Sequence, residues 1–274
     1  MTVEESVAEH YTTGGLLERI LAALTSLGVD PSRARPADLK PVDEFHIGGA
    51  AATRALLAQL SLTPKSAVLD IGSGLGGTAR LVAEETGASV TGVDLTPEFV
   101  STAGALSRLV GLADRTSFEV GSALAMPFAD DSFDVALLLH VGMNIPDKAA
   151  LMAEAARVLK PGGTFAVYDV MKVGPDAIDF PVPWAETAGQ SFLATVDDYQ
   201  AAAVAAGFSE VTSQDRSAKA LDFFADQRAR MEAEGAPALG IHLLLGTSRA
   251  EKIANMVSNI SAGRIAPTEL VLKL

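Results

Sequence analysis

A chain of 274 residues, 49% of them apolar, has the material for one large core or two smaller ones. It contains no cysteine, which excludes disulfides, thiolate nucleophiles and zinc–thiolate sites and fits a reducing, cytoplasmic setting. A net charge of -13 argues against nucleic acid or an anionic membrane as the main partner, and the apolar runs are strand-sized, too short to span a bilayer.

No basic region followed by an apolar run opens the chain, so no signal peptide is expected. From Gly14 to Leu27 the apolar residues Leu16, Leu17, Ile20, Leu21, Leu24 and Leu27 form a helical stripe. The stripe lacks basic residues on its polar face, so it reads as packing against the rest of the protein rather than as a membrane-surface helix. "GVDPSRARPADLKPVDE" follows, with three prolines and many charges, and reads as a loop. A second helix is expected from Gly49 to Leu60.

An alternation then begins. "SAVLDIG" reads as a strand and Gly76 to Thr86 as a helix; "SVTGVDL" is a strand, and Thr96 to Val110 a helix capped by Thr96 with Pro97 at its first position. "TSFEVGS" and the almost wholly apolar "FDVALLLH" are strands, Asp147 to Lys160 is a helix, and "GTFAVYDVM" is a strand. This order predicts an α/β fold of Rossmann-like, doubly wound type, with about seven mostly parallel strands. "FPVPWAETAGQSFL" reads as an irregular insertion, Asp197 to Ala206 as a helix, and "FSEVTSQDRS" as a strand. Residues 218–262 read as a helical cap inserted before a last strand, "IAPTELVLKL". The expected organisation is an N-terminal helical lid over residues 1–60 and a ligand-binding domain over 61–274.

The turn "VLDIGSGLGG" places Gly72, Gly74 and Gly77 in the spacing G-x-G-x-x-G, after the first strand and before a helix. In open α/β sheets ligands bind beyond the carboxyl ends of the strands, where the strand order switches. Asp94 ends the second strand, 22 residues after Gly72, and a carboxylate there can accept from a ribose diol. NAD and S-adenosylmethionine (SAM) both satisfy these features. Asp70 separates them. It lies inside the strand, where a carboxylate is costly unless paired. The ammonium of SAM would pair it, whereas a pyrophosphate would be repelled. Bonding of Asp70 to nearby backbone amides is the structural alternative.

"LAMPFADDSFDVALLLH" and "ARVLKPGGTFAVYDV" follow at set distances. Together with "VLDIGSGLGG" and "VTGVDLTPEFV", they resemble the class I SAM-dependent methyltransferases over residues 66 to about 171. "DEFHIGG", "HVGMNIPDK", "YDVM" and "FPVPWA" resemble the small-molecule (type 11) branch, near the sarcosine/dimethylglycine N-methyltransferases. The resemblance implies that Gly72, Ser73, Gly74 and Gly76 pass under the methionine part of SAM. It implies that Asp94 holds the ribose hydroxyls and that Leu95 packs on adenine. The family's acid after the third strand is replaced by Ser122, so that contact is left to its hydroxyl and to the backbone N–H of Ala123.

His140 ends the fourth strand and faces the methyl donor on this reading, as a SAM contact, a proton acceptor or a backbone-bonded strand end. Tyr11, His46, Asn144 and Trp184 are candidates for lid or substrate contacts, with core or turn packing as their bland alternative. His10 reads as solvated and His242 as part of the cap. The histidines are not paired at helical spacing, so no metal site is expected. The expected activity is SAM-dependent methylation of a small molecule, most simply an amine nitrogen. O- or C-methylation of a secondary metabolite, a SAM-binding protein without turnover and a NAD-dependent oxidoreductase are the competing readings. A homodimer is one expectation for its assembly.

Overall fold

In the computed structural model, residues 2–12, 14–235, 238–240 and 248–274 are described. His242 lies outside the described residues. A seven-stranded sheet in the order β3-β2-β1-β4-β5-β7-β6 organises the molecule. Its strands are β1 (Ala67–Ile71), β2 (Ser89–Asp94), β3 (Thr116–Val120), β4 (Phe133–Leu139), β5 (Leu159–Lys172), β6 (Glu210–Asp215) and β7 (Ile265–Lys273). β1 to β5 pair in parallel, and β7 lies antiparallel between β5 and β6. The order switches between β1 and β4, so the turns after these two strands open onto a common crevice.

Alternation along the strands loads both faces of the sheet. Leu69, Ile71, Leu138, Phe165 and Val167 face one side, with Leu151 and Met152 of α7 (Lys148–Val158) and Tyr199 of α8 (Val196–Ala205). Val68, Leu137, Ala166 and Tyr168 face the other side, against Ala79 and Val82 of α5 (Gly77–Thr86) and Leu56 of α4 (Gly49–Leu57). Each large apolar side chain buried on these faces is worth roughly 1.5–3 kcal/mol.

The N-terminal quarter holds α1 (Val3–Tyr11), α2 (Leu16–Ser26), α3 (Pro36–Asp43) and α4. α2 buries Leu16, Ile20 and Leu24 against Leu106 of α6 (Pro97–Leu109). The stretch 28–44, expected to be a loop, contains α3. Pro36 sits at its first turn, where a missing N–H costs nothing, and Leu39 and Val42 are buried. α3 packs on α5 so closely that a Cβ on Gly77 would stand 1.9 Å from the Asp43 carbonyl oxygen. Across this contact the Arg80 guanidinium, 1% exposed, pairs with the Asp43 carboxylate. Thr96 occupies the cap position of α6 without capping the helix through its side chain; Asp94 Oδ1 accepts from the Thr96 N–H, at 2.8 Å.

Among the described residues between β6 and β7 are α9 (Ser217–Glu234) and α10 (Arg249–Ser261). Ala220, Met256 and Ile260 pack with Val170, Ile265, Val182 and Trp184 at one end of the sheet. Among the described residues, no helix is long and apolar enough to cross a membrane.

Candidate functional site

A cavity of about 310 Å³ lies beyond the carboxyl ends of β1, β2 and β4. The glycine turn, Asp94 and Leu95, the Ser122–Ala123 turn and His140 all line it. So do Tyr11, His46 and Asn144, drawn in from distant parts of the chain. α1 lies across its mouth, with Glu4, Val7 and Tyr11 on the wall. This helix opens with a reciprocal cap between Thr2 and Glu5, legible in the sequence as T-x-x-E.

Asp70 is 2% exposed, and its Oδ2 has no hydrogen-bond partner. Burial, with the neighbouring Glu44 and Asp94 carboxylates adding to it, pushes its pKa up to about 7. The hydroxyl of Ser73, next to it in the turn, is also buried and unpartnered. Asp94 Oδ2 accepts from the Gly74 N–H at 2.8 Å, which ties the turn to the end of β2. Burial raises the Asp94 pKa, opposed by its bonds to Thr96 and Gly74.

Gly74 has φ +51°, and a side chain there would meet no protein atom within 4 Å. Its open side faces the cavity. Gly76 does not line it: a Cβ on Gly76 would strike the Phe118 ring at 2.6 Å, so this glycine serves packing beneath the turn. Ser122 Oγ pairs with Glu4 of α1 and accepts from the Leu124 N–H at 3.0 Å. Its hydroxyl therefore holds α1 over the cavity as well as lining it.

His140 has φ 56° and turns the chain out of the sheet. Its Nδ1–H donates to Tyr168 O at 3.1 Å, which leaves Nε2 as the acceptor of the Ile47 N–H at 3.4 Å. Burial and the adjacent His46 lower its pKa to about 3. A ring with both nitrogens engaged and so low a basicity is poorly equipped as a proton acceptor, one of the roles expected for it. His46 lies beside it, with ring centroids 5.9 Å apart. The Thr53 hydroxyl donates to Glu44 Oε2 at 3.0 Å, so it accepts from His46 Nε2, also at 3.0 Å. Burial lowers the His46 pKa to about 4 and raises that of Glu44 to about 7. Among the described residues no cluster of His and carboxylate side chains could hold a metal ion.

Trp184 does not reach this cavity. It is 4% exposed, its Nε1 donates to Ser191 Oγ at 2.9 Å, and it lines a second, smaller cavity of about 70 Å³. Tyr11 and Asn144 line both spaces, 3.5 Å apart from amide to hydroxyl. His10, expected to be solvated, is half-buried on the second cavity, stacked edge-on against Tyr11. The apolar side of the α1 helix carries both rings inward, which its own short, charged sequence does not disclose. No lysine or arginine lines either cavity among the described residues.

Residues 69–167 match the family described as a methyltransferase domain. The Methyltransferase GfsG of Streptomyces halstedii is 36% identical over 137 residues, 50% of this chain and 49% of that protein. The chain thus spans about half the length of that curated relative, and a smaller share of others it matches. Among solved structures, phosphoethanolamine N-methyltransferase 2 of Haemonchus contortus, in complex with SAM, superposes with a TM-score of 0.75 at 19% identity, covering 100% of this chain and 60% of that one. A putative sarcosine dimethylglycine methyltransferase from Galdieria sulphuraria gives a TM-score of 0.68 at 21% identity, over 81% of this chain and 84% of the other. At these identities the likeness is one of fold.

Proposed function

We propose that this chain, whose residues 69–167 form a methyltransferase domain of the class I fold, transfers a methyl group from SAM to a small-molecule acceptor, most simply an amine nitrogen. One observation carries the reading: the buried, unpartnered Oδ2 of Asp70 at a cavity whose charged wall is acidic and free of lysine and arginine among the described residues. A buried carboxylate without a partner costs free energy until a cation meets it. The ammonium of SAM fits that need, and a dinucleotide pyrophosphate does not.

The surrounding residues fit the remainder of the molecule. Asp94 keeps lone pairs beyond those given to Gly74 and Thr96, suited to a ribose diol. Leu95, Ala123 and Leu124 offer an apolar wall for a heterocycle. Gly74 leaves room for close approach of its backbone. SAM, when bound, supplies a methyl group activated by a positively charged sulfur. The protein's task is then alignment and exclusion of water. Alignment can lower a barrier by roughly 7–11 kcal/mol. α1 acts as a lid on this reading, held at Ser122 by Glu4.

The second cavity, joined through Tyr11 and Asn144, is suited to the acceptor. Its aromatic rings and the absence of lysine and arginine from its lining among the described residues favour an amine acceptor over a phosphorylated one. An amine that arrives unprotonated attacks through its free lone pair and sheds a proton only after the methyl has moved, so for such an acceptor a histidine base is not required. The cysteine-free composition suits a cytoplasmic place of action.

The test has two parts. Calorimetry with SAM, its demethylated product S-adenosylhomocysteine (SAH) and NADH addresses the ligand. A mass-spectrometric screen with labelled SAM against amine, hydroxyl and carbon acceptors addresses the transfer. Label entering only hydroxyl or carbon acceptors would replace the amine reading.

A further inference from the structure

Lys148 opens α7 and is 8% exposed, an unusual place for an ammonium group. Both of its hydrogen-bond partners are backbone carbonyls. Nζ donates to Ile145 O, in the turn after β4, and to Phe192 O at 2.7 Å, in the irregular segment that follows β5. Ile145 lines the first cavity and Phe192 the second. A single side chain therefore joins the two walls.

The joint is braced on three sides. The Phe192 N–H donates to Met143 O at 2.8 Å, a second tie between the same two segments. The Lys148 ammonium stands 5.5 Å from the centre of the Tyr199 ring. Tyr199 in turn donates its hydroxyl to Asp169 Oδ2 at 2.6 Å, and a Cβ on Gly142 would come within 2.2 Å of both of these groups. The turn that carries Asn144 and Ile145 thus rests on Asp169 and Tyr199 and is pinned from above by Lys148.

A buried ammonium needs all the hydrogen bonds it can make, and two carbonyls in separate segments satisfy it only while those segments stay together. Resting on the functional reading above, we infer that Lys148 is a positioning residue, one that holds the wall of the second cavity in register with the rim of the first and so fixes the acceptor against the methyl donor. It touches neither cavity itself. Its effect passes through Ile145 and Phe192.

Trp184 gives a direct readout, because it is the only tryptophan in the chain and its Nε1 bonds Ser191, the neighbour of Phe192. The experiment compares wild type with Lys148→Gln, which removes the charge and shortens the reach while keeping an amide NH2, and Lys148→Arg, which keeps the charge. Acrylamide quenching of Trp184 fluorescence reports the looseness of the second cavity, and calorimetry with SAH reports the first. Lys148→Gln is expected to quench faster than wild type while binding SAH within about 3-fold, and to methylate amines that the wild type accepts at least ~10-fold more slowly. Lys148→Arg is expected to recover most of both losses. Unchanged quenching in Lys148→Gln overturns the inference. So does a loss of SAH affinity as large as the loss of transfer, which would mark general unfolding. A wild type that binds no SAH would overturn the functional reading instead, while the quenching comparison still decides the role of Lys148.

Discussion

The Nε2 atom of His140 accepts the backbone N–H of Ile47, 3.4 Å away, while its Nδ1–H is bonded to Tyr168 O. The end of β4 is thereby fastened to the segment before α4. With both nitrogens engaged, the ring is placed to shape the cavity rather than to move a proton. His140→Asn should then lower turnover by about 10-fold or less, against the ~10²–10⁴-fold expected from loss of a general base. A pH–rate profile at saturating SAM and acceptor checks this. An inflection near pH 6.5 that vanishes in the variant would restore a catalytic role for the ring.

Burial of Asp70 costs stability, and the proposed role for it is to bind the ammonium of SAM. Its pKa is 3.8 in the unfolded reference and about 7 when folded. Between those values the folded chain holds a proton that the unfolded chain has released, so stability falls as the pH rises and levels off above about 7. His46 and His140, with lowered pKa values, act in the opposite sense, but equally in wild type and variant. Asp70→Asn should melt at least ~2 °C above wild type at pH 8, with the gap closing towards pH 4, and should bind SAM at least ~10-fold more weakly. Scanning calorimetry across pH reads the first effect and titration the second.

Two glycines of one turn should fail in different ways. Gly77→Ala would force a methyl group against the Asp43 backbone and should lower the melting temperature by several degrees. The Cβ of Gly74→Val would meet no protein atom within 4 Å, but the side chain would project toward the cavity from a left-handed backbone. It should cost about 1 kcal/mol of stability and at least ~10-fold in SAM affinity. Melting curves and titrations on both variants separate the outcomes.

Asp94→Ala removes the proposed ribose contact and two bonds to backbone N–H groups, those of Gly74 and Thr96. It should weaken SAM at least ~10-fold and also lower stability by roughly 1–3 kcal/mol. Chemical denaturation and calorimetry on the same sample measure both. Stability loss with unchanged affinity would leave Asp94 with a purely structural role.

The central strands β1 and β4 were legible as apolar runs bounded by turn residues, and the glycine turn follows the first of them. The site at the carboxyl ends of β1 and β2 follows from that order alone. α3 was hidden by Pro31, Pro36 and Pro41, which punctuate the sequence as a loop does, although Pro36 starts the helix and Leu39 and Val42 anchor it. The approach of His46 to His140 was hidden for another reason. Residues 94 positions apart meet only once the sheet has formed, and no local spacing encodes that. The antiparallel insertion of β7 between β5 and β6 is equally non-local. Trp184 is placed on the second cavity by packing of the cap, which its irregular segment does not signal.

The most direct test of the central claim is isothermal titration of the wild-type chain with SAH and with NADH, at low salt and pH 7.5. The buried Asp70, whose Oδ2 lacks a partner at the acidic cavity, predicts saturable binding of SAH and none of NADH. Tight binding of NADH with no response to SAH would contradict it.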